Sequence, residues 1–205
     1  FRRVLFRSEQ GLPARLCKDL SEEQLEYARK NFFLLTLKPI LYAANVAAED
    51  YADLDSCEYY LTVKRIAESQ GAQCIPVSCE IEYDISQIED PNDRKEFLES
   101  LGASESGLDK LTKACYKLLN LSTFFTCGTD ECRAWTFTNG MTAPECAGVI
   151  HTDFQKGFIK AEVYDFELLR ELGSEAAIKT AGKLRMEGKE YRMKDGDCVF
   201  FRFNV

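Results

Sequence analysis

"KPILYAANVAAED", residues 38–50, is the stretch on which the fold turns. Lys38-Pro39 closes whatever precedes it, because proline cannot continue a helix. "ILYAAN" (40–45) is then a short apolar run with the texture of a strand buried in a parallel sheet. It ends on Asn45, whose amide carries both a donor and an acceptor. A second run of the same kind, "QCIPVS", occupies 73–78.

Working outward, "LSEEQLEYARKNFFLL" opens with Ser21 and has Gln24 three residues on, a capping-box pattern. Leu20, Leu25, Ala28, Phe32 and Leu35 follow near helical spacing and predict a helix over 21–33. Residues 56–70 also read as helix and stop at Gly71. Asp90-Pro91 is an N-cap followed by proline in the first turn, with Gly102 closing that helix. Ser106-Gly107 leads into another helix that runs to about Asn120. Helices alternating with buried strands predict an α/β domain with a parallel sheet. Two strands are few for such a sheet, so part of the domain is expected to lie outside this chain.

After Leu121 the texture changes. "STFFTC" (122–127), "CRAWTFT" (132–138), "FIKAEVY" (158–164), "EYRM" (190–193) and "CVFFRFNV" (198–205) are strand-like runs rich in aromatic and β-branched residues. Asn139-Gly140 and "KDGD" (194–197) mark turns, and helical pieces are expected around 142–147 and 165–180. In the last run Val199, Phe201 and Phe203 share one face, and Phe200 and Arg202 the other. These features predict a separate α+β domain with a mixed sheet, with Trp135 and the Phe-rich last strand in its core.

The 205 residues are 45% hydrophobic, enough for one or two real cores. The opening octapeptide "FRRVLFRS" (1–8) back-translates in register to the end of a common sequencing-library adapter. It is therefore expected to be a scar, not an RNA-binding arm. The formal net charge is −8, and setting aside Arg2, Arg3 and Arg7 takes it to −11. That balance argues against non-specific binding of duplex DNA, which needs surplus cations. The apolar stretch around 31–48 is broken by Lys38-Pro39, so no membrane span is expected. Nine cysteines stand at 17, 57, 74, 79, 115, 127, 132, 146 and 198, no pair is spaced C-x-x-C, and His151 is the single histidine. That pattern offers no zinc site and fits a reducing cytoplasm in which Cys is mostly a small buried hydrophobe.

Four stretches together resemble the YchF, or Obg-like ATPase, family of P-loop NTPases. They are "KPILYAANVAAED", "IPVSCEIEYDI" (75–85), "FLESLGASESGLDKL" (97–111) and "GMTAPECAGVIHTDFQKGFIKAEV" (140–163), the last continued by "GKLRMEGKEYRMKDGDCVFFRFNV" (182–205). The resemblance implies three parts beyond the scar at 1–8. Residues 9–31 would be the end of an inserted helical hairpin, 32–121 the C-terminal part of a P-loop NTPase domain, and 122–205 a TGS domain of ubiquitin-like β-grasp shape.

No G-x-x-x-x-G-K-[ST] motif occurs, so no phosphate-binding loop, catalytic residue or metal ligand is expected here. On its own the chain should neither hold a triphosphate tightly nor hydrolyse it. What remains is base recognition, because ligands of doubly wound folds sit beyond the carboxyl ends of the strands. Position alone would equally make Asn45 a turn cap. The resemblance makes it a base contact, with Val46 against the base face and Ser78-Cys79-Glu80 as a second loop whose N–H groups meet the base edge. For Cys79 plain core packing stays an equal alternative. The family pattern Asn-x-x-Glu, associated with ATP, is broken here by Ala48, with Glu49 and Asp50 one and two places later.

The resemblance further implies a Mg²⁺-dependent ATPase associated with the large ribosomal subunit. Lys156, Lys160, Lys183, Arg185 and Lys189, with Arg192, would face ribosomal RNA. The interspersed Glu162, Glu187 and Glu190 fit an ordinary solvated face as well. His151 reads as a structural hydrogen-bonder. The alternatives are a non-catalytic RNA- or ribosome-binding module and a GTPase of the wider Obg group.

Overall fold

The computed structural model describes residues 11–17, 20–128 and 131–204. The octapeptide at 1–8 lies outside them. The chain divides into two compact units, one ending at Leu118 and the other beginning at Leu119.

In the first unit, helix α1 (Glu22–Phe32) starts at the capping box: Gln24 N–H donates to Ser21 Oγ at 3.3 Å, and Ser21 N–H donates to Gln24 Oε1 at 3.1 Å. Phe33 then turns left-handed at φ 50° and ends it. Leu25 and Phe32 of this helix pack with Ala28 against Ala14 and Leu37. Strand β1 (Leu41–Asn45) is followed by α2 (Ala48–Tyr51), α3 (Glu58–Ser69) and β2 (Gln73–Val77). β1 and β2 run parallel, with Leu41 opposite Gln73 and Asn45 opposite Val77, so both strands end at the same level.

Next come α4 (Cys79–Gln87), α5 (Pro91–Ser100) and α6 (Gly107–Leu118), and α3 and α6 pack on the strand pair. α4 corrects the sequence reading, which saw only a loop at 78–80. Ser78 Oγ accepts from Ile81 N–H at 3.5 Å, and Glu80 and Glu82 occupy the first turn, where the helix dipole favours acids. Glu82 Oε1 also accepts the first N–H groups of α6, from Gly107 at 2.7 Å and Leu108 at 3.2 Å. A Cβ on Gly107 would stand 3.2 Å from Pro76 O and Val77 Cα, so only glycine starts that helix so close to β2.

The second unit comprises β3 (Leu121–Cys127), β4 (Cys132–Thr138), α7 (Ala143–Ile150), α8 (Thr152–Lys156), β5 (Phe158–Asp165), α9 (Phe166–Leu172), α10 (Glu175–Thr180), β6 (Arg185–Glu187) and β7 (Asp197–Phe203). Its sheet order is β4-β3-β7-β5-β6; β3 and β7 are parallel and the other neighbours antiparallel, which is the β-grasp arrangement. One face buries Phe124, Phe137, Val163, Val199 and Phe201 against Ala143, Cys146 and Ala147 of α7. On the other face Tyr164 and Cys198 pack with Ile178 of α10 and Leu168 and Leu169 of α9. Gly157 permits a close crossing, because a Cβ there would lie 2.0 Å from Asn204 O.

Two expectations fail in this unit. Residues 190–193 form no strand, and the edge strand is Arg185–Glu187. Tyr191 C=O accepts from Ala143 N–H at 2.8 Å and Met193 N–H donates to Met141 C=O at 3.0 Å, so the segment is tied to the start of α7. Phe200 is not core: it is 46% exposed, and the Arg202 guanidinium lies over its ring at 4.3 Å. No helix among the described residues is long and apolar enough to cross a membrane.

Candidate functional site

The level ends of β1 and β2 bring Asn45 and the Ser78-Cys79-Glu80 turn together, which the sequence alone could only propose. Asn45 Oδ1 accepts the Cys79 backbone N–H at 3.1 Å, and Val46 N–H donates to Val77 C=O at 2.9 Å. A backbone N–H can only meet an oxygen, so this bond fixes which way the Asn45 amide points. Its acceptor is engaged by that bond, and its remaining polar group is the Nδ2 donor.

The same bond engages the second turn. The Cys79 N–H is directed at Asn45 and not at a base edge. Ser78 is buried and caps α4, while Cys79 is exposed, so core packing does not explain it. Glu80 is exposed in the first turn of α4.

A cavity of about 460 Å³ lies beside the end of β1, walled by Asn45, Val46, Ala47, Asp50, Tyr59 and Tyr60 among others. That volume falls in the range of small-molecule sites. Ala48 and Glu49 are not in the wall. The acid present is Asp50, whose Oδ2 accepts weakly from Cys57 Sγ at 3.8 Å. Both Glu49 and Asp50 are exposed on the short helix α2, and only Asp50 borders the cavity. Among the described residues no group of three or more His, Cys, Asp or Glu is placed to hold a metal ion.

In the second unit Lys156, Lys160, Lys183, Lys189 and Arg192 are exposed. Arg192 donates to Gly140 C=O at 2.6 Å. Arg185 is otherwise engaged: it pairs with the buried Asp197 at 3.1 Å and with Glu187 at 3.6 Å. His151 Nδ1 accepts from Asp153 N–H at 3.2 Å and caps α8, the structural role expected of it.

Parallel strands ending in a tethered asparagine beside a cavity, followed by a β-grasp unit, define a mixed α/β protein. A family model described as "Protein of unknown function (DUF933)", YchF-GTPase_C, matches residues 121–204. The chain is 49% identical over 200 residues to the "Ribosome-binding ATPase YchF" of Bacillus subtilis, covering 98% of this chain and 53% of that protein. It is 40% identical over 199 residues to the human "Obg-like ATPase 1", covering 96% and 49%. Among solved structures, that described as the Schizosaccharomyces pombe YchF GTPase superposes with a TM-score of 0.81 at 34% identity, covering 98% of this chain and 53% of the other. The chain belongs to the YchF, or Obg-like ATPase, family. It spans about half the length of the curated relatives it matches.

Proposed function

We propose that this chain carries the base-reading end of a purine-nucleoside triphosphatase that works on the ribosome, with ATP as the nucleotide. The observation that supports it is the Asn45–Cys79 tether at the ends of β1 and β2. An asparagine held by its oxygen presents donors to an acceptor edge such as purine N7, which adenine and guanine share. The relatives' names, ribosome-binding ATPase and Obg-like ATPase, point the same way. Mg²⁺ and the phosphate-binding loop belong to sequence that this chain does not span. The described residues do not fit a Mg²⁺ site, so no step through the metal is assigned to them.

Asp50 favours a second reading. A carboxylate accepts well from the adjacent N1–H and N2–H of guanine, whereas the adenine edge pairs one donor with one acceptor and repels it at the latter. Titrating ATP and GTP against the full-length protein separates the two. If ATP is the nucleotide, Asp50→Ala leaves its affinity within about twofold, and Ala48→Glu, which restores the family acid, clearly changes the ATP-to-GTP ratio. A GTP affinity that exceeds that for ATP and collapses in Asp50→Ala would replace the ATP reading with the GTP one.

For the ribosome we propose the β-grasp unit, read as a TGS domain, as the contact, through Lys156, Lys160 and Lys183. Neutralising all three should weaken cosedimentation with ribosomes. It should also flatten the logarithmic salt dependence by roughly 0.7–0.9 per lost phosphate contact. An unchanged slope would place the contact elsewhere.

A further inference from the structure

Cys127 and Cys132 are the last and first residues of β3 and β4, and they stand directly opposite each other in the register. The hydrogen bonds of this hairpin fix what kind of pair they are. Gly128 N–H donates to Glu131 C=O at 2.8 Å, and Asn139 N–H donates to Asn120 C=O at 2.9 Å. Counting inward from either end in steps of two, the hydrogen-bonded pairs are 128 with 131, 126 with 133 and so on to 120 with 139. Cys127 and Cys132 therefore form a non-hydrogen-bonded pair, where opposed Cα atoms lie about 4.5 Å apart and side chains are closest. That separation is within the window a disulfide needs, roughly 4.4–6.8 Å.

Both side chains point to the sheet face that carries Glu162, Tyr164, Phe200 and Arg202, and together with these residues they line a cavity of about 590 Å³. Cys132 is exposed and Cys127 half-buried. Cys127 also touches a third thiol, Cys198, on β7. Cys198 is buried, and burial pushes its thiol up to about 12, so it stays protonated and unreactive at neutral pH. Burial, and then the neighbouring Cys132, raise the Cys127 thiol too.

We propose that Cys127 and Cys132 are a modification site, a cross-strand dithiol that hydroperoxides convert to a disulfide across the end of the hairpin. The accessible Cys132 thiolate attacks one peroxide oxygen, the O–O bond breaks, and the hydroxide released takes up the thiol proton as water, leaving a sulfenic acid. The Cys127 sulfur, held opposite, attacks the sulfenic sulfur. The S–O bond breaks and the oxygen leaves as a second water with the Cys127 proton. Two thiols lose two electrons and two protons, and one hydrogen peroxide becomes two waters. A dithiol reductant reverses the change by exchange.

Nothing in this chemistry depends on the nucleotide or ribosome reading, since it rests on hairpin register alone. The test is to treat the chain with hydrogen peroxide, alkylate the remaining thiols, and digest with trypsin. Cleavage after Lys117 and Arg133 yields a peptide, 118–133, with both cysteines and no others. The expected product is that peptide two hydrogens lighter and unalkylated, restored by dithiothreitol. In Cys127→Ser the sulfenic acid at Cys132 should persist long enough to be trapped by dimedone. A peptide bearing sulfinic acid at Cys132 in the unsubstituted chain, a link from Cys127 to Cys198, or oxidation confined to the exposed Cys79 would each overturn the proposal.

Discussion

Asp197→Ala is expected to lower the melting temperature of the β-grasp unit by more than about 10 °C. Asp197 is 2% exposed at the start of β7 and satisfies three donors: Arg185 Nη2 at 3.1 Å, Tyr191 O–H at 2.7 Å and the Lys194 N–H at 2.9 Å. Removing one partner of a buried ion pair costs about 3–5 kcal/mol, and the half-exposed Arg185 moves the figure to the lower end. For a unit of this size each kcal/mol is worth roughly 4–8 °C. Asp197→Asn keeps an acceptor for Tyr191 or Lys194 and should lose less. Trp135, the single tryptophan, lies on β4 in the same unit and donates to Thr126 Oγ1 at 2.9 Å, so its fluorescence reports this transition without contribution from the other unit. A tryptophan melt in Asp197→Ala that overlays the unsubstituted chain would refute the role given to this carboxylate.

The second large effect concerns the ligand end of the other unit. In the full-length protein, Asn45→Ala is expected to weaken ATP and GTP alike by about 0.5–1.5 kcal/mol, the worth of one donated hydrogen bond, each 1.4 kcal/mol being a factor of ten. Asn45→Asp separates two ways in which that loss could arise. Its carboxylate still accepts the Cys79 N–H, so the turn at 78–80 keeps its tether, but the Nδ2 donors are gone. If Asn45 donates to the base, the aspartate variant binds no better than the alanine variant, and the added negative charge makes matters worse. If Asn45 serves only to hold the turn, Asn45→Asp binds as the unsubstituted protein does. Calorimetric titration of both nucleotides against the two variants measures the difference. Undiminished binding in both would remove the base site from the end of β1.

Local chemistry made much of this fold legible before any coordinates. Ser21 with Gln24 and Asp90 with Pro91 cap the helices they were expected to cap, and Asp90 Oδ1 accepts from Asn92 N–H at 2.7 Å. Gly71 and Gly102 sit at φ 68° and 70°, where a helix must end. Such signals are contained within a few residues. What escaped was decided at long range. Residues 190–193 have strand-like composition, yet their partners are the residues before α7 and the buried Asp197, which no local pattern reveals. Which of Glu49 and Asp50 borders the cavity depends on the short helix α2, which no pattern in residues 45–50 announces. Cys127 and Cys132, with four residues between them, match no metal or redox spacing; only the parity of hydrogen bonds along β3 and β4 shows that their side chains face each other.

The central place of β7 has a consequence for how the unit comes into being. It is the final strand in chain order, yet it lies between β3 and β5 in the sheet. Synthesis from the N-terminus therefore releases two half-sheets, β4 with β3 and β5 with β6, that have no direct strand contact until β7 emerges. Closing contacts of such long sequence separation is slow, and until then both inner strands present unpaired edges. The β-grasp unit thus cannot fold progressively during translation and is completed in one late step. A message truncated between Glu187 and Asp197 yields two half-sheets with exposed inner edges in place of a weakened domain, the kind of product that aggregates or is cleared.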